Sequence, residues 1–247
     1  MRRWHLLTIG VGAYVFALIV FAPATLVDAG LQRASHGALR LAEAQGSLWS
    51  GSGQIEIRET GGRTGVAKAL AWRVVPQSLL RGRLVCEVDL DKSATPFPVT
   101  ISLSRIELAN ADIRLPATVL GLGVPKLAPL GLTGDVRIHV SSLSIARNRM
   151  EGYATVNWHG AGSTLSPVSP LGDYEVRLDG EGMTVHAYLR TIEGPLQLEG
   201  KGSWTQGERP AFLAMARVPP QHQQELAPLL RLIAVERGEG RFELQLN

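Results

Sequence analysis

From about residue 44 onward this chain repeats one pattern: apolar and polar residues alternate in short runs. Gln54-Ile55-Glu56-Ile57-Arg58 and Leu70-Ala71-Trp72-Arg73-Val74 alternate, and Leu84, Cys86, Val88 and Leu90 share a parity opposite Glu87 and Asp89. Val99, Ile101 and Leu103 alternate with Thr100, Ser102 and Ser104. Val136, Ile138 and Val140 alternate with Arg137 and His139, and Tyr174, Val176 and Leu178 with Glu175, Arg177 and Asp179. A period of two sends successive side chains to opposite faces, so each run predicts a strand with one buried and one wet face. Turn formers separate the runs at Gly61-Gly62, Asp91-Lys92-Ser93, Asn148, Glu193-Gly194-Pro195 and Gln206-Gly207. No long helical period interleaves, which argues against βαβ units. The expected fold is mainly β, with an N-terminal transmembrane helix, then a largely antiparallel, curled or open sheet carrying one or two short helices.

The anchor is read from residues 6–22, LLTIGVGAYVFALIVFA, which hold no charge. Its large apolar members are Leu6, Leu7, Ile9, Val11, Tyr14, Val15, Phe16, Leu18, Ile19, Val20 and Phe21. As a helix the run reaches about 26 Å, the short end of a membrane span. Arg2 and Arg3 precede it, so the positive-inside rule keeps the N-terminus cytoplasmic and exports the rest. The competing reading is a cleaved signal peptide, with small-x-small patterns at Ala22-Pro23-Ala24 and Val27-Asp28-Ala29. The apolar run exceeds a typical signal core and Pro23 sits inside the first pattern, so the uncleaved anchor is preferred. The chain divides into a stub and anchor over 1–23, a linker helix over 24–43 and a β-rich domain over 44–247. Leu31, Ala34, Ala38 and Leu41 carry the helical spacing of the linker.

Three stretches depart from plain alternation. Residues 116–131 hold Pro116, Pro125 and Pro129 among several glycines, and predict a loop with one helical turn at Ala117–Leu120, placed to split the sheet into two lobes. Leu226, Leu229, Leu230 and Ile233 predict a short helix within 221–234, and Arg241–Leu246 a last strand, a candidate sheet edge. Gly-x-Gly recurs at Gly160/Gly162, Gly180/Gly182 and Gly200/Gly202, which marks strand ends and bulges or places where a partner or lipid chain meets bare backbone.

The net charge of +3 falls to +1 without Arg2 and Arg3, and no basic patch stands out, so nucleic acid is a poor partner. The single cysteine, Cys86, cannot form an internal disulfide, and its alternation with Leu84 and Val88 predicts a small buried hydrophobe. There is no P-loop, dinucleotide fingerprint, nucleophile elbow or zinc or calcium motif. His5, His36, His139, His159, His186 and His222 are scattered, and pairs such as Glu56/Glu59 and Asp89/Asp91 read as wet faces and turns. An enzyme, a cofactor and a small-molecule substrate are therefore not expected. Trp49, Trp72, Trp158 and Trp204 are expected in the core, because a large ring beside glycines covers bare backbone.

The order of several features carries a resemblance. After the Arg pair and the apolar run come Gln45-Gly46-Ser47-Leu48-Trp49-Ser50-Gly51, then Leu70-Ala71-Trp72, Pro76 and Leu79-Leu80-Arg81-Gly82. Much later come Leu171-Gly172-Asp173-Tyr174, Gly180-Glu181-Gly182 and the run from Gly194 through Gly200 and Gly202 to Trp204. In this order the chain resembles the N component of the type II secretion system. The motif positions are Gly46, Leu48, Trp49, Gly51, Trp72, Gly172, Asp173, Tyr174, Gly200, Gly202 and Trp204. The resemblance implies a single-pass inner-membrane protein of Gram-negative bacteria with a periplasmic β body. It implies an accessory role in protein secretion, with component C and the secretin D as partners beside inner-membrane lipid. It brings no catalytic residues, cofactor or metal. A second reading stays open: a membrane-tethered, AsmA-like β-groove that handles lipid through an open apolar face. The two part on whether the apolar face is filled or open.

Overall fold

The computed structural model describes Tyr14, residues 17–18, 20–58, 64–91, 95–147, 149–205, 208, 211–238 and 240–246. Two compact units are present: Met1–Val75 with Cys86–Ser93, and Pro76–Val85 with Ala94–Asn247. The boundary therefore falls elsewhere than at the proline-rich middle. The antiparallel, mainly β character expected from the alternation is what the structure holds, with few and short helices.

In the first unit, helix α1 (Thr25–Ala34) is followed by β1 (Leu39–Gly46), β2 (Ser50–Arg58), β3 (Thr64–Val75) and β4 (Leu84–Leu90), which are neighbours in chain order. The linker helix ends earlier than its spacing suggested, and Leu41 belongs to β1. The helix stops where His36 and Gly37 take positive φ values of 51° and 83°, and Asp28 then ties the returning chain. Its Oδ1 accepts the Leu41 N–H at 2.8 Å, while Ser35 Oγ accepts the Leu39 N–H at 3.0 Å. Two donors of β1 are thereby satisfied from the helix side, which closes this strand to further pairing. A core of Ala24, Leu41 and Trp72 gathers Val27, Leu31, Ala44, Leu70 and Cys86 around it. Cys86 is half-buried rather than buried, and burial still pushes its thiol pKa up.

In the second unit the strands are β5 (Phe97–Ile101), β6 (Arg105–Pro116), β7 (Leu132–Ala146), β8 (Arg149–Ser163), β9 (Gly172–Glu181), β10 (Thr184–Glu193), β11 (Gln197–Thr205), β12 (Ala211–Arg217), β13 (Val235–Gly238) and β14 (Arg241–Leu246). They are neighbours in chain order until the end, where β14 lies between β12 and β13. The terminal strand is thus interior and β13 is the edge, which corrects the expectation for Arg241–Leu246. Leu103 falls in the turn after β5 and is fully exposed, not the last residue of a strand.

The registers stack one face into apolar rows that run across the strands. One row is Leu115, Val136, Trp158 and Tyr174. The next is Ile113, Ile138, Val156, Val176, Leu189, Gly200, Ala214 and Leu244. Then come Ala111, Val140, Ala154, Leu178, Ala187, Gly202 and Phe212. Beyond them lie Val99, Leu108, Leu143, Gly152, Gly180, Val185 and Trp204, and finally Ile101, Ile106, Ile145 and Met150. The parity changes in β6 and β7 because Asn110 takes a positive φ of 51° and β7 bulges between Val140 and Ser142. A bulge shifts the alternation by one residue, so Leu143 and Ile145 keep to the apolar face. The opposite face is polar, with Asp112 paired to Arg137, and Glu175 to Arg177 and Arg190.

Only one end of the apolar face is filled. Helix α2 (Thr118–Gly123), a 3₁₀ segment (Pro125–Leu130) and helix α3 (Gln223–Leu230) accompany a core of Ala117, Leu130, Val136, Ala216, Leu226, Leu229, Leu230 and Phe242. The stretch 116–131 therefore does not divide the sheet: β6 and β7 pair without interruption from Pro116 opposite Asp135 to Arg105 opposite Ala146. Its apolar residues make it a cover. The helix expected within 221–234 forms as α3, with Pro228 inside it.

Candidate interaction surface

The anchor residues Leu6, Leu7, Ile9, Val11, Val15, Phe16 and Ile19 lie outside the described residues. Tyr14, Leu18, Val20 and Phe21 are described and exposed. Among the described residues no helix is long and apolar enough to cross a membrane.

Five of the family-motif positions meet in the first unit. Gly46 pairs with Gly51 across the β1–β2 turn, and Gly51 with Trp72 across β2 and β3. The indole of Trp72 lies on the Gly51 backbone, where a Cβ would come within 2.5 Å of its Cζ2. Its Nε1 donates to the Leu48 carbonyl at 3.2 Å, and the Trp49 carbonyl accepts the Val74 N–H at 2.7 Å. Gly46 has a φ of 93°, which the turn requires. The ring that covers bare backbone is thus Trp72's, with Trp49 half-buried beside it.

The Asp28 contact beside this cluster is open to a pH test. The Gln32 amide first, then the Leu41 N–H and the Arg40 and Arg58 charges, hold its carboxyl below the usual carboxylate range. Asp28→Ala should lower stability by about 1 kcal/mol after solvent screening. A depressed folded pKa contributes stability that is complete above the unfolded value of about 3.9 and lost as pH falls through the folded value. Urea unfolding of both proteins at falling pH should therefore show their difference shrinking only in acid.

A second motif group forms a latch in the second unit. Tyr174 is buried, its Oη 3.1 Å from the Leu171 carbonyl oxygen and 2.9 Å from that of Leu196. Desolvation, with the Asp173 charge adding to it, pushes the phenol pKa well up, so it remains a donor. The backbones of Gly172 and Gly194 touch, and a Cβ on Gly194 would stand 2.3 Å from the Gly172 Cα. Asp173 accepts the Gly160 N–H at 2.8 Å and faces His159 Nδ1 at 3.1 Å. That N–H first, then the ring, hold its carboxyl below the usual range. Trp158 tilts against Tyr174 with ring centroids 5.8 Å apart. The motifs near Gly172 and Gly194, far apart in sequence, thus make one structural clamp.

Gly200 and Gly202 are covered by Phe212, whose ring atoms would lie 3.0 and 2.5 Å from added Cβ atoms. Of the expected core tryptophans Trp72 is buried and Trp158 packs against the core, Trp49 is half-buried, and Trp204 departs furthest. It lies in a row the covering elements do not reach and is 48% exposed. Burial reaches from Val136 and Phe242 into the row of Ala111 and Val140, whereas Ile106 and Ile145 in the last row are 45% and 38% exposed. Alternation in the sequence could flag these residues as apolar-faced, but carried no signal of where the cover stops.

The edges differ as well. β1 is closed by Asp28 and Ser35, whereas β13 has a strand on one side only and is exposed throughout, Val235 included. Its own Glu236 and Arg237 form ion pairs with Arg231 and Glu243. On the polar face a shallow depression of about 390 Å³ is lined by His186, Tyr188, Lys201, Ser203 and Leu213 among others. No group of three or more His, Cys, Asp or Glu side chains stands together among the described residues.

No curated protein and no solved structure matches the chain. A family model described as type II secretion system (T2SS), protein N matches residues 37–245, from just before β1 into β14. The match takes in the Gly46–Trp72 cluster and the Gly172–Tyr174 latch together, so the chain belongs to the type II secretion system protein N family.

Proposed function

We propose that this chain is an inner-membrane accessory component of the type II secretion machinery and works by binding other subunits through an exported β body. The family match over residues 37–245 carries the reading, since it spans both units. The proposed partners are component C and the secretin D, and the proposed anchor is the uncharged run over 6–22. Of the two edges, β13 suits strand addition, because an exposed strand with one neighbour presents main-chain donors and acceptors that a partner strand completes. The polar face and the latch carry no chemistry in this reading.

A second reading has one observation in its favour. In the last two apolar rows Trp204, Ile101, Ile106 and Ile145 are exposed, as a lipid-handling groove requires and a filled sandwich does not. One experiment addresses both. The full chain is captured from detergent-solubilised membranes, and subunits and lipids are identified together. Component C or D should co-purify with the wild type, and Val235→Lys should reduce that roughly tenfold, because a charge on an edge strand blocks pairing. Unchanged co-purification would move the interface away from β13. Capture of lipid without either subunit would replace the assembly reading with the lipid one.

A further inference from the structure

At the end of the second unit farthest from its filled core, the hairpin between β5 and β6 and the hairpin between β7 and β8 lie side by side. Ile101, Ile106, Ile145 and Met150 form a continuous cross-strand row there. The isoleucines of that row are 42%, 45% and 38% exposed, and Leu103 projects from the first turn with no cover at all. On the other face, the same terminal position is basic: Arg105 stands opposite Ala146, and Ala146 opposite Arg149. Arg147, in the second turn, is exposed too. One step further from the tip the same ladder turns acidic, with Glu107 opposite Ser144 and Ser144 opposite Glu151. Glu107 engages Arg105 at 3.5 Å, while among the described residues neither Arg147 nor Arg149 has an ion-pair partner.

We propose that this two-hairpin tip docks on an anionic bilayer surface, Leu103 and the isoleucine row entering the acyl boundary and Arg105, Arg147 and Arg149 meeting lipid phosphates. The layering supports that occupant over others. Apolar groups at the extreme end, guanidiniums beside them and carboxylates set back by about 7 Å match the order of acyl chain, phosphate and water at a membrane. Arginine bridges that boundary well, because its stem lies along apolar surface while its planar head pairs with phosphate. A second copy of the chain would bring three arginines against three arginines, and an apolar partner groove would leave them without counter-charge. The inference does not rest on the secretion reading: it names a lipid surface for a part of the sheet that the β13 edge does not include.

The test uses the full chain in vesicles, with Cys86→Ala and Leu103→Cys carrying an environment-sensitive fluorophore. Leu103 makes no packing contact to lose, since it is fully exposed. In phosphatidylethanolamine–phosphatidylglycerol vesicles containing spin-labelled lipid, the probe should shift to the blue and be quenched. Reversing Arg105, Arg147 and Arg149 to Glu should weaken the tip's lipid contact about tenfold or more, as should vesicles of phosphatidylcholine alone. Circular dichroism checks that the reversed variant keeps its sheet. A probe that stays in water in anionic vesicles would overturn the proposal. So would a blue shift without lipid that grows with protein concentration, which would assign the tip to a second copy. Loss of component C or D from the capture experiment would leave this result unaffected, so the two failures are distinguishable.

Discussion

Trp72→Ala should destabilise the first unit by about 3–5 kcal/mol, the range for removing a buried indole. Trp72 is 6% exposed and sits at the centre of a small core, with Ala24 and Leu41 buried against it. On the Gly51 side the space cannot be filled by a side chain, because the ring lies directly on that glycine's backbone. The substitution also strips the Leu48 carbonyl of the Nε1 donor at 3.2 Å. Trp72→Phe separates the two contributions: it keeps most of the apolar contact and loses the hydrogen bond, so about 1–3 kcal/mol of the effect should remain. Urea unfolding with limited proteolysis reads this directly, with early cleavage expected in residues 39–75. A loss below about 1 kcal/mol for Trp72→Ala would mean the ring is not the organising contact.

Removing residues 241–247 should unfold the second unit, and Phe242→Ala alone should cost about 3–5 kcal/mol. Phe242 is 0% exposed and Leu244 is buried, and both belong to the core that α3 covers. β14 lies between β12 and β13, so its loss also strips the β12 backbone of its partner from Phe212 to Arg217. Loss of a central strand removes packing and ladder bonds together, which a peripheral strand does not. Circular dichroism of the truncated chain should show collapse of the β signal, and Phe242→Ala a lowered urea midpoint with unchanged slope. A truncated chain that stays folded would return β14 to the edge of the sheet.

The alternation of Val136, Ile138 and Val140 or of Tyr174, Val176 and Leu178 is a local property: whichever strands pair, those side chains share a face. For that reason the strands, their antiparallel character and the helix at Leu226–Leu230 were legible in the residues, whereas the shift in phase between Val140 and Leu143 rests on a bulge that pairing fixes. Motif order carried the family, although no physical rule of spacing leads from Gly46 or Trp204 to secretion. What covers a face is not local. Trp72 and Trp204 both stand near glycines, yet Trp72 is buried on Gly51 under Ala24 and Leu41, while Trp204 is exposed, because only tertiary packing decides what covers each ring. The place of Arg241–Leu246 inside the sheet was equally hidden, since a chain can return past its own edge, as β13 and β14 do. Closure of β1 by Asp28, the joining of Gly172 to Gly194 by backbone contact, and the gathering of Arg105, Arg147 and Arg149 beside an uncovered isoleucine row all need registers between distant segments. Period and composition therefore determined the strands and their apolar faces. Only the long-range pairing decided which of those faces, and which edge, remained open to a partner.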